Sequence, residues 1–329
     1  MCTAISYQPN AAMHLFGRNL DLDYHYQENV VITPRNFPLP FRLEQKMSHH
    51  YAMIGMATIV DNYPLYYDAT NECGLSIAAL NFPGNAKYQK VSTLRKNIAP
   101  FEFIPWILGQ CCCVAEATTL LNTLQVVQLA FDQQYALTPL HWIISDSNYS
   151  VTVEPLDACL RIYENPVGVL TNSPPFDFHM WNLANYMNIT CATPQNRFSN
   201  MIDLKPYSLG MGAIGLPGDF SSTSRFIRAS FVKLNAIKEE NAHHSISQFF
   251  HILDAVSQIN GCTQTEKGYE KTIYTSCCDT RRGIYYYTTY NNRQIVGIDM
   301  HKVDLTTQYL YAFPLEDRQR IIILNEFPQ

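Results

Sequence analysis

The residue of this chain best suited to covalent chemistry is the cysteine at position 2. If the initiator Met1 is removed, Cys2 carries both a thiol and a free α-amine. An α-amine has a pKa of about 7.7–8.0 in model peptides, so it can act as a general base for the thiol beside it. Thr3–Tyr7 follow a strand-like pattern that would hold Cys2 in place. Arg18 can favour a thiolate and Asp21 can orient an ammonium group, so this segment fits an N-terminal nucleophile. A cysteine after the initiator methionine and a Gly-Arg-Asn turn are also ordinary features, so the residues alone leave a structural role open.

Two asparagines stand where predicted strands run into turns. Asn81 lies in Leu80–Asn85 and Asn172 lies in Val169–Pro174, and each is followed by a proline within two residues. The prolines restrict the backbone, so both asparagines are expected on turns of fixed shape. Cleavage of an amide creates an oxyanion, and one fixed donor to it is worth roughly 2.7–4 kcal/mol of barrier. Asn-x-Pro is also common in ordinary turns, so the two motifs alone leave a structural role open.

A third motif, Gly215–Phe226, leads into a helix predicted at Ser221–Asn235. Asp219 and the serines after it can cap the start of that helix. Arg225 and Arg228 lie three positions apart and therefore share one face of the helix. By itself this spacing is that of a pair of solvated surface arginines on one helix.

Taken together, these motifs resemble those of the choloylglycine hydrolase family, and the resemblance covers nearly the whole chain. It rests on Met1–Ala4, on Phe16–Asp21 and on the segments around Asn81, Asn172 and Arg225. That family contains bile salt hydrolases and penicillin V acylases, which are N-terminal-nucleophile hydrolases that cleave amide bonds. The resemblance implies a hydrolase of glycine- or taurine-conjugated bile salts, with these conjugates as its small-molecule partners.

The resemblance also implies roles for individual residues. The expected catalytic residues are Cys2, Arg18, Asp21, Asn81, Asn172 and Arg225. The Asn172 side-chain amide and the Asn81 backbone N–H would form the oxyanion hole. Arg225 would support the polar network, which leaves Arg228 structural. Bile salt hydrolases carry asparagine at the position of Asn81, whereas related penicillin V acylases tend to carry tyrosine, so this residue resembles the bile salt hydrolase pattern.

Blocks of strand-like and helical sequence favour an α+β fold. A hairpin is predicted from Leu65–Ala69 and Leu75–Asn81, and a last strand at Ile321–Leu324. The predicted helices are Phe101–Gln110, Val114–Asn122, Ser221–Asn235 and His244–Asn260. The resemblance specifies the form, which is a four-layer αββα sandwich of two stacked, mainly antiparallel sheets flanked by helices. We expect a single domain over residues 2–329.

The segment 185–219 has no clear periodicity and is rich in Asn, Pro and Gly. Such a long irregular stretch is uncommon in a compact domain and usually has a function. An arm that wraps a neighbouring subunit is one candidate. The resemblance agrees, because members of the family commonly form tetramers through an excursion here, so a homotetramer is expected.

Composition narrows the classes of protein that this chain can belong to. Hydrophobic residues make up 47% and charged residues 16%, which predicts a sizeable buried core. The net charge of −5 argues against a nucleic-acid partner. The N-terminus lacks a signal-peptide pattern, and no apolar run reaches the roughly 18 residues that span a bilayer. We therefore expect a soluble, cytoplasmic protein with no membrane partner.

The ten cysteines include the contiguous runs Cys111–Cys113 and Cys277–Cys278. Adjacent cysteines do not resemble a disulfide framework, and a cytosolic chain keeps its thiols reduced. No paired C-x-x-C spacing supports a zinc site, so no metal and no cofactor are expected. All the cysteines except Cys2 are expected to be packing residues, with a redox role for Cys111–Cys113 as the alternative.

A bile salt would need an apolar pocket for its steroid. The candidate substrate-binding residues are Leu20, Asn81, Phe131 and Leu140, with the loops around Ile59–Leu65 and Phe131–Leu140 as walls. A penicillin V acylase and an N-acyl-homoserine lactone acylase would use the same nucleophile and a similar pocket. A non-catalytic binding protein for steroids or acyl chains is the alternative from a different class.

Overall fold

Two antiparallel β-sheets stack face to face in the computed structural model, which describes residues 1–157 and 159–325. The first sheet has six strands, ordered as β12 (Val169–Leu170), β1 (Cys2–Asn10), β2 (Met13–Leu22), β13 (Lys271–Asp279), β14 (Ile284–Thr289) and β15 (Val296–Asp299). The second has eight, ordered as β11 (Cys159–Glu164), β10 (Ser150–Leu156), β9 (Leu140–Ser145), β6 (Ser76–Asn81), β5 (Tyr63–Asn71), β4 (Met53–Val60), β3 (Asn29–Thr33) and β16 (Tyr311–Pro314). A separate parallel pair joins β7 (Lys96–Ile98) and β8 (Leu124–Val126).

Helices cover the outer faces of the two sheets. They are α1 (Phe103–Leu108), α2 (Val114–Leu121), α3 (Phe176–Leu183), α4 (Ser222–Asn235) and α5 (Ala242–Asp254). The helices α1 and α2 share a core with the second sheet, whereas α4 and α5 pack on the first. The expected four-layer αββα arrangement is confirmed. Among the described residues, no helix combines the length and the apolar character needed to cross a bilayer.

The first sheet is buried on both faces, because the second sheet covers one face and α4 and α5 cover the other. The consecutive residues Ala4 and Ile5 are both fully buried, although their side chains point to opposite faces of β1. A strand buried on both faces has a nearly continuous apolar sequence. This burial holds β1, and with it Cys2, at the centre of the molecule.

The two long helices begin at side-chain caps, of which the sequence predicts only that of α4. Ser221 Oγ accepts a hydrogen bond from the Ser224 N–H, so the predicted start of α4 is confirmed. The helix predicted at His244–Asn260 instead begins at Ala242 and ends at Asp254. It ends early because the chain turns back toward β13.

The strand predicted at Ile321–Leu324 is wrong, since these residues form no strand and are exposed. The C-terminal strand is β16, which pairs with β3 at the edge of the second sheet. A short apolar run becomes a strand only where an edge is free to pair with it, and Tyr311–Pro314 already occupies this edge.

The expectation that all cysteines other than Cys2 are reduced packing residues is also wrong. Cys73 and Cys112 form a disulfide, with their Cα atoms 5.2 Å apart. The turn after β5 docks on the segment between α1 and α2, because Asn71 Nδ2 donates to the carbonyl oxygen of Cys111. The three cysteines that are solvent-exposed rather than packed are Cys159, Cys191 and Cys262.

The segment 185–219 crosses the surface with only short 3₁₀ turns at Ala184–Tyr186 and Met211–Ala213. The irregular backbone predicted here is confirmed. Its large apolar side chains point into solvent, including Met187, Phe198, Met201, Tyr207, Leu209 and Ile214. A surface segment with this many exposed apolar side chains is typical of an interaction site.

Candidate active site

Cys2 is the first residue of β1 and is 3% exposed. It faces Leu20 across the pairing of β1 with β2. With Met1 present, the Cys2 backbone N–H donates a hydrogen bond to Asn172 Oδ1 at 2.8 Å. Once Met1 is removed this nitrogen is the α-amine, so the acceptor that would orient the base is already in place.

The strand register brings Asn172 to this position. Ala4 of β1 faces Leu170 of β12, and the two strands are antiparallel. Continuing this register by two residues puts Asn172 opposite Cys2. The pairing of β1 with β12 therefore places beside Cys2 a side chain that is 170 residues away along the chain.

The Asn172 side chain is the centre of the site's hydrogen bonds. Its Oδ1 accepts from the Cys2 N–H and also from Arg225 Nη2 at 2.7 Å. Its Nδ2 donates to the Asn81 carbonyl oxygen at 2.7 Å. An amide nitrogen carries two hydrogens, so one remains for a further acceptor.

The backbone of Asn81 points into the site because of its place in the sheet. Asn81 faces Leu140, while the next residue, Phe82, donates its N–H to the Pro139 carbonyl at 2.7 Å. Bonded and non-bonded positions alternate in an antiparallel pair, so Asn81 is a non-bonded position relative to β9. Its N–H and C=O therefore point away from β9, toward the side from which Asn172 reaches the carbonyl.

Arg18 fills a gap between β5 and β6. A register shift in the pairing of β4 with β5 accompanies an extra residue at Tyr67, and the pairing of β5 with β6 stops at Asp68 and Ala78. Beyond that point, Arg18 Nη1 donates to the Tyr67 carbonyl at 3.1 Å and to the Ala79 carbonyl. The guanidinium replaces ladder hydrogen bonds where the strands part, as is common for bulges beside active sites.

The charge of Arg18 is held close to the thiol. Arg18 is fully buried, and burial lowers the pKa of its guanidinium. The nearby Cys2 sulfur, with Tyr274, Asp68 and Asp21, outweighs burial and raises that pKa above its ordinary value. Arg18 Nη2 has no hydrogen-bond partner within residues 1–157 and 159–325. It is therefore available to a thiolate.

Asp21 lies beside the chain terminus but does not contact the Cys2 nitrogen. Its Oδ1 accepts from Thr272 Oγ1 at 2.7 Å, and its backbone carbonyl accepts from the Met1 ammonium at 2.8 Å. Burial raises the pKa of its carboxyl, while the N-terminal ammonium and Arg225 pull it down. Among the described atoms, the acceptor for the Cys2 N–H is Asn172, a contact that no sequence pattern indicated.

Arg225 projects from the first turns of α4 into the same cluster. It is fully buried, and its Nη1 donates to the Cys2 carbonyl and to Thr3 Oγ1, the latter at 2.7 Å. Burial lowers the pKa of its guanidinium. Arg228 instead donates to the Ala255 carbonyl at 2.6 Å and to the loop before α4. Arg225 therefore binds the residues around Cys2, whereas Arg228 holds the loop before α4, although the two arginines share a helix face.

The candidate wall residues are not all in one place. Leu20 is buried beside Cys2, and Leu140 faces Asn81. Phe131 lies in an aromatic cluster, with ring centroids 5.8 Å from Tyr63 and 5.1 Å from Phe101. The loop after β8 and the turn between β4 and β5 therefore meet, as the two predicted wall loops require.

Sequence reasoning missed the tyrosines of the loop after β2. The ring of Tyr26 lies 4.4 Å from that of Tyr24 and 6.1 Å from that of Tyr135. Tyr135 in turn lies 6.2 Å from Phe131, which extends the aromatic cluster toward the end of β2 and Asp21. The pair of aromatic residues just after Asp21 was the available signal.

Glu270 is a second residue that the sequence did not indicate. Its Oε1 accepts a hydrogen bond from the Met1 ammonium at 2.7 Å. Nothing in its sequence neighbourhood marks it, because only the tertiary fold brings it to the N-terminus. Within the described part of the chain, no three His, Cys, Asp or Glu side chains are arranged to hold a metal ion.

Comparison with known proteins shows which sequences this chain resembles. Residues 2–319 match the family model described as linear amide C–N hydrolases, choloylglycine hydrolase family. The chain is 49% identical to a bile salt hydrolase/transferase of Lactiplantibacillus plantarum, over 99% of this chain and 100% of that protein. It is 39% identical to a bile salt hydrolase/transferase of Clostridium perfringens, over 93% and 94% of the two chains.

Solved structures agree with these relatives. A mutant of the conjugated bile acid hydrolase from Clostridium perfringens superposes with a TM-score of 0.92 at 35% identity, over 99% of this chain and 100% of that one. The penicillin V acylase from Agrobacterium tumefaciens gives a TM-score of 0.77 at 23% identity, over 97% and 94% of the two chains. The second likeness shows a shared fold.

Proposed function

This chain belongs to the choloylglycine hydrolase family, and we propose that it hydrolyses the amide bond of glycine- or taurine-conjugated bile salts. The observation that carries the proposal is the hydrogen-bond cluster in which Asn172 joins Cys2, Asn81 and Arg225. This cluster supplies a nucleophile, an orienting group for its base and donors for an oxyanion, which are the parts that an amidase needs.

The reaction begins at Cys2 after Met1 has been removed. The α-amine, oriented by Asn172 Oδ1, takes the thiol proton, and Arg18 stabilises the thiolate. The sulfur attacks the amide carbon, and the resulting oxyanion accepts hydrogen bonds from the Asn81 N–H and the second hydrogen of Asn172 Nδ2. Asp21 supports the positive charge on the amine.

The tetrahedral intermediate then collapses and breaks the carbon–nitrogen bond. The α-ammonium gives its proton to the departing nitrogen, which releases glycine or taurine and leaves a thioester on Cys2. Water, deprotonated by the same amine, attacks the thioester and releases the free bile acid and the thiol. Arg225 fixes the Cys2 carbonyl and Asn172 throughout, so the nucleophile and the donors keep their spacing.

The aromatic cluster of Tyr24, Tyr26, Tyr63, Phe131 and Tyr135 offers an apolar wall for a steroid. Aromatic side chains provide large, rigid contact area for such a ligand. Leu20 and Leu140 pair across their strands with Cys2 and Asn81, so they would border the reacting end of a bound conjugate. The asparagine at position 81 supports bile salts over penicillin V as substrates, because related penicillin V acylases tend to carry tyrosine there.

Transfer of the acyl group to another amine is a second candidate function. The relatives from Lactiplantibacillus plantarum and Clostridium perfringens are both named as hydrolase/transferase. The thioester on Cys2 can be attacked by an amine in place of water, with its proton taken by the same base. Appearance of a new conjugate when a second amino acid is added in excess tests this candidate, and hydrolysis alone contradicts it.

The central experiment compares wild type with Cys2→Ala on glycocholate, taurocholate and penicillin V. We expect amino acid release from both bile salts by wild type and none by the variant. Release that is undiminished in Cys2→Ala contradicts the mechanism. Faster turnover of penicillin V than of the bile salts would select the penicillin V acylase. An N-acyl-homoserine lactone is added as a fourth substrate, and turnover of it alone would select the lactone acylase. Tight binding of bile salts without turnover would select a non-catalytic binding protein. Intact mass shows whether Met1 is absent, as the proposed base requires.

The quaternary state belongs to the proposal as well. We expect a homotetramer in which segment 185–219 packs on a neighbouring subunit, since Phe198 is 83% and Leu209 91% exposed. Light scattering should give four times the chain mass for wild type and a smaller mass for Phe198→Asp with Leu209→Asp. A monomeric wild type contradicts the expected homotetramer.

The single domain at 2–329 and the cytoplasmic location stay predictions. Limited proteolysis tests the single domain, and cell fractionation tests the location.

A further inference from the structure

A buried histidine and glutamate lie directly behind the two turns that carry Asn81 and Asn172. The side chains of His141 and Glu154 are both fully buried, and His141 Nδ1 lies 3.1 Å from Glu154 Oε1. They come from the adjacent strands β9 and β10. The pair does not contact Cys2 and has no part in the mechanism derived above.

His141 contacts both turns at once. Its Nε2 donates a hydrogen bond to the Thr171 carbonyl at 2.9 Å, and Thr171 is the residue before Asn172. Its ring stacks on Phe82, the residue after Asn81, with centroids 4.2 Å apart and planes 8° from parallel. The His141 side chain therefore fixes the position of the Asn81 turn relative to the Asn172 turn.

Glu154 holds the far end of the Asn172 turn. Its Oε1 accepts from the Phe176 N–H at 3.0 Å, at the first residue of α3. The same helix carries His179, whose Nε2 donates to the Asn172 carbonyl at 2.9 Å. The turn is thus held at its start through His141 and at its end through Glu154 and α3.

The protons of the pair can be counted from these contacts. A carbonyl oxygen only accepts, so His141 Nε2 carries a hydrogen. Glu154 Oε1 already accepts from Phe176, and one further hydrogen joins it to His141 Nδ1. The two side chains together form a neutral unit, whichever of them holds that hydrogen. A neutral, fully buried unit can be rigid without leaving an uncompensated charge in the core.

We propose that His141 and Glu154 are positioning residues that set the spacing of the two oxyanion donors, an inference that rests on the proposed function. Donor placement matters because an oxyanion donor acts only within about 2.7–3.1 Å of the position that the oxygen will occupy. A misplacement of about 1 Å can cost on the order of 10²-fold in rate. The pair thus acts on turnover through Asn81 and Asn172, without touching the substrate.

The main test is His141→Phe, which keeps a ring to stack on Phe82 and removes both hydrogen bonds. We expect kcat on glycocholate to fall about 10- to 100-fold with KM within about threefold of wild type. His141→Gln keeps a donor for the Thr171 carbonyl and should recover part of the loss. His50→Phe is the matched control, because His50 is also buried and hydrogen-bonded through both ring nitrogens, to the Phe37 and Tyr51 carbonyls.

A second readout separates the oxyanion hole from the nucleophile. Alkylation of Cys2 by iodoacetamide needs the thiolate but no oxyanion donor, and mass spectrometry of the N-terminal peptide measures its rate. We expect this rate to be unchanged within about twofold in His141→Phe while kcat falls. Equal losses in both rates, or an unchanged kcat, overturn the inference. An inactive wild type with a freely alkylated Cys2 instead contradicts the proposed function.

Glu154→Gln keeps the inference testable if His141→Phe does not fold. A glutamine oxygen can accept from both the Phe176 N–H and His141 Nδ1 only if the imidazole becomes a buried cation without a counter-charge, and otherwise one of these partners is left unpaired. We expect a threefold to tenfold fall in kcat with the alkylation rate of Cys2 unchanged. A kcat equal to that of wild type in this folded variant overturns the proposed positioning role.

Discussion

The replacement Asn172→Asp separates the two functions of the residue at the centre of the site. Asn172 Oδ1 accepts from Cys2 and Arg225, and its Nδ2 donates to the Asn81 carbonyl. An ionised aspartate keeps both acceptor contacts and loses every donor. It also places negative charge where the oxyanion develops, so the change removes the donor and adds repulsion at the same position while both acceptor contacts remain.

The expected magnitudes follow from these contacts. Loss of one oxyanion donor costs roughly 2.7–4 kcal/mol, so kcat should fall on the order of 10²–10³-fold. Stability should fall by less than activity. The Asn81 carbonyl loses its donor and faces a carboxylate oxygen, which costs about 1–3 kcal/mol, while the bond to the buried Arg225 guanidinium becomes charge-assisted and offsets part of that cost. Asn172→Ala should lose activity and also about 1–3 kcal/mol of stability, because Arg225 Nη2 loses its acceptor.

The assay is glycine release from glycocholate, paired with urea unfolding of the same preparations. Asn85→Asp is the matched control, since Asn85 Nδ2 donates to Ser173 Oγ at 2.9 Å across the same two turns without reaching Cys2. We expect the control to keep kcat within about threefold of wild type. If Asn172→Asp retains more than a tenth of the wild-type kcat while remaining folded, donation by this side chain is not part of the mechanism.

Three further predictions concern the surroundings of the site. Arg18→Met removes the buried cation beside the thiol, so alkylation of Cys2 by iodoacetamide at pH 7 should slow about tenfold; an unchanged rate contradicts the role of Arg18. Burial, opposed by a nearby aspartate, lowers the pKa of His14 from 6.5 to about 4. The unfolded chain therefore binds more protons between these values, and the free energy of unfolding should fall by up to about 2 kcal/mol between pH 6.5 and 5. Urea unfolding of His14→Gln should show a weaker dependence on pH, and an equal dependence in both proteins contradicts this assignment. The disulfide of Cys73 and Cys112 closes a loop with a sequence separation of 39. Cys73→Ser should therefore lower the free energy of unfolding by about 4 kcal/mol in oxidised protein and by far less under dithiothreitol. Equal losses under the two conditions contradict the disulfide.

The sequence alone predicted the chemistry because several of its parts lie in local motifs. Cys2 is marked by its place after Met1, and Asn81 and Asn172 by their Pro-containing turns. The hairpin ending at Asn81 and the start of α4 at its serine cap were predicted for similar reasons, whereas the αββα arrangement was implied by the family resemblance. Periodicity, caps and turns are properties of neighbouring residues, so a pattern of neighbours is sufficient to predict them.

Only the tertiary structure decided which groups meet. The register of β1 with β12 brings Asn172 to the Cys2 nitrogen, and the gap between β5 and β6 gives Arg18 its place. The pair of His141 and Glu154 and the disulfide of Cys73 likewise join residues that no local pattern connects. Contacts of this kind depend on strand register and on the packing of whole layers. These are set by the burial of the entire core and not by the residues that take part in the contact.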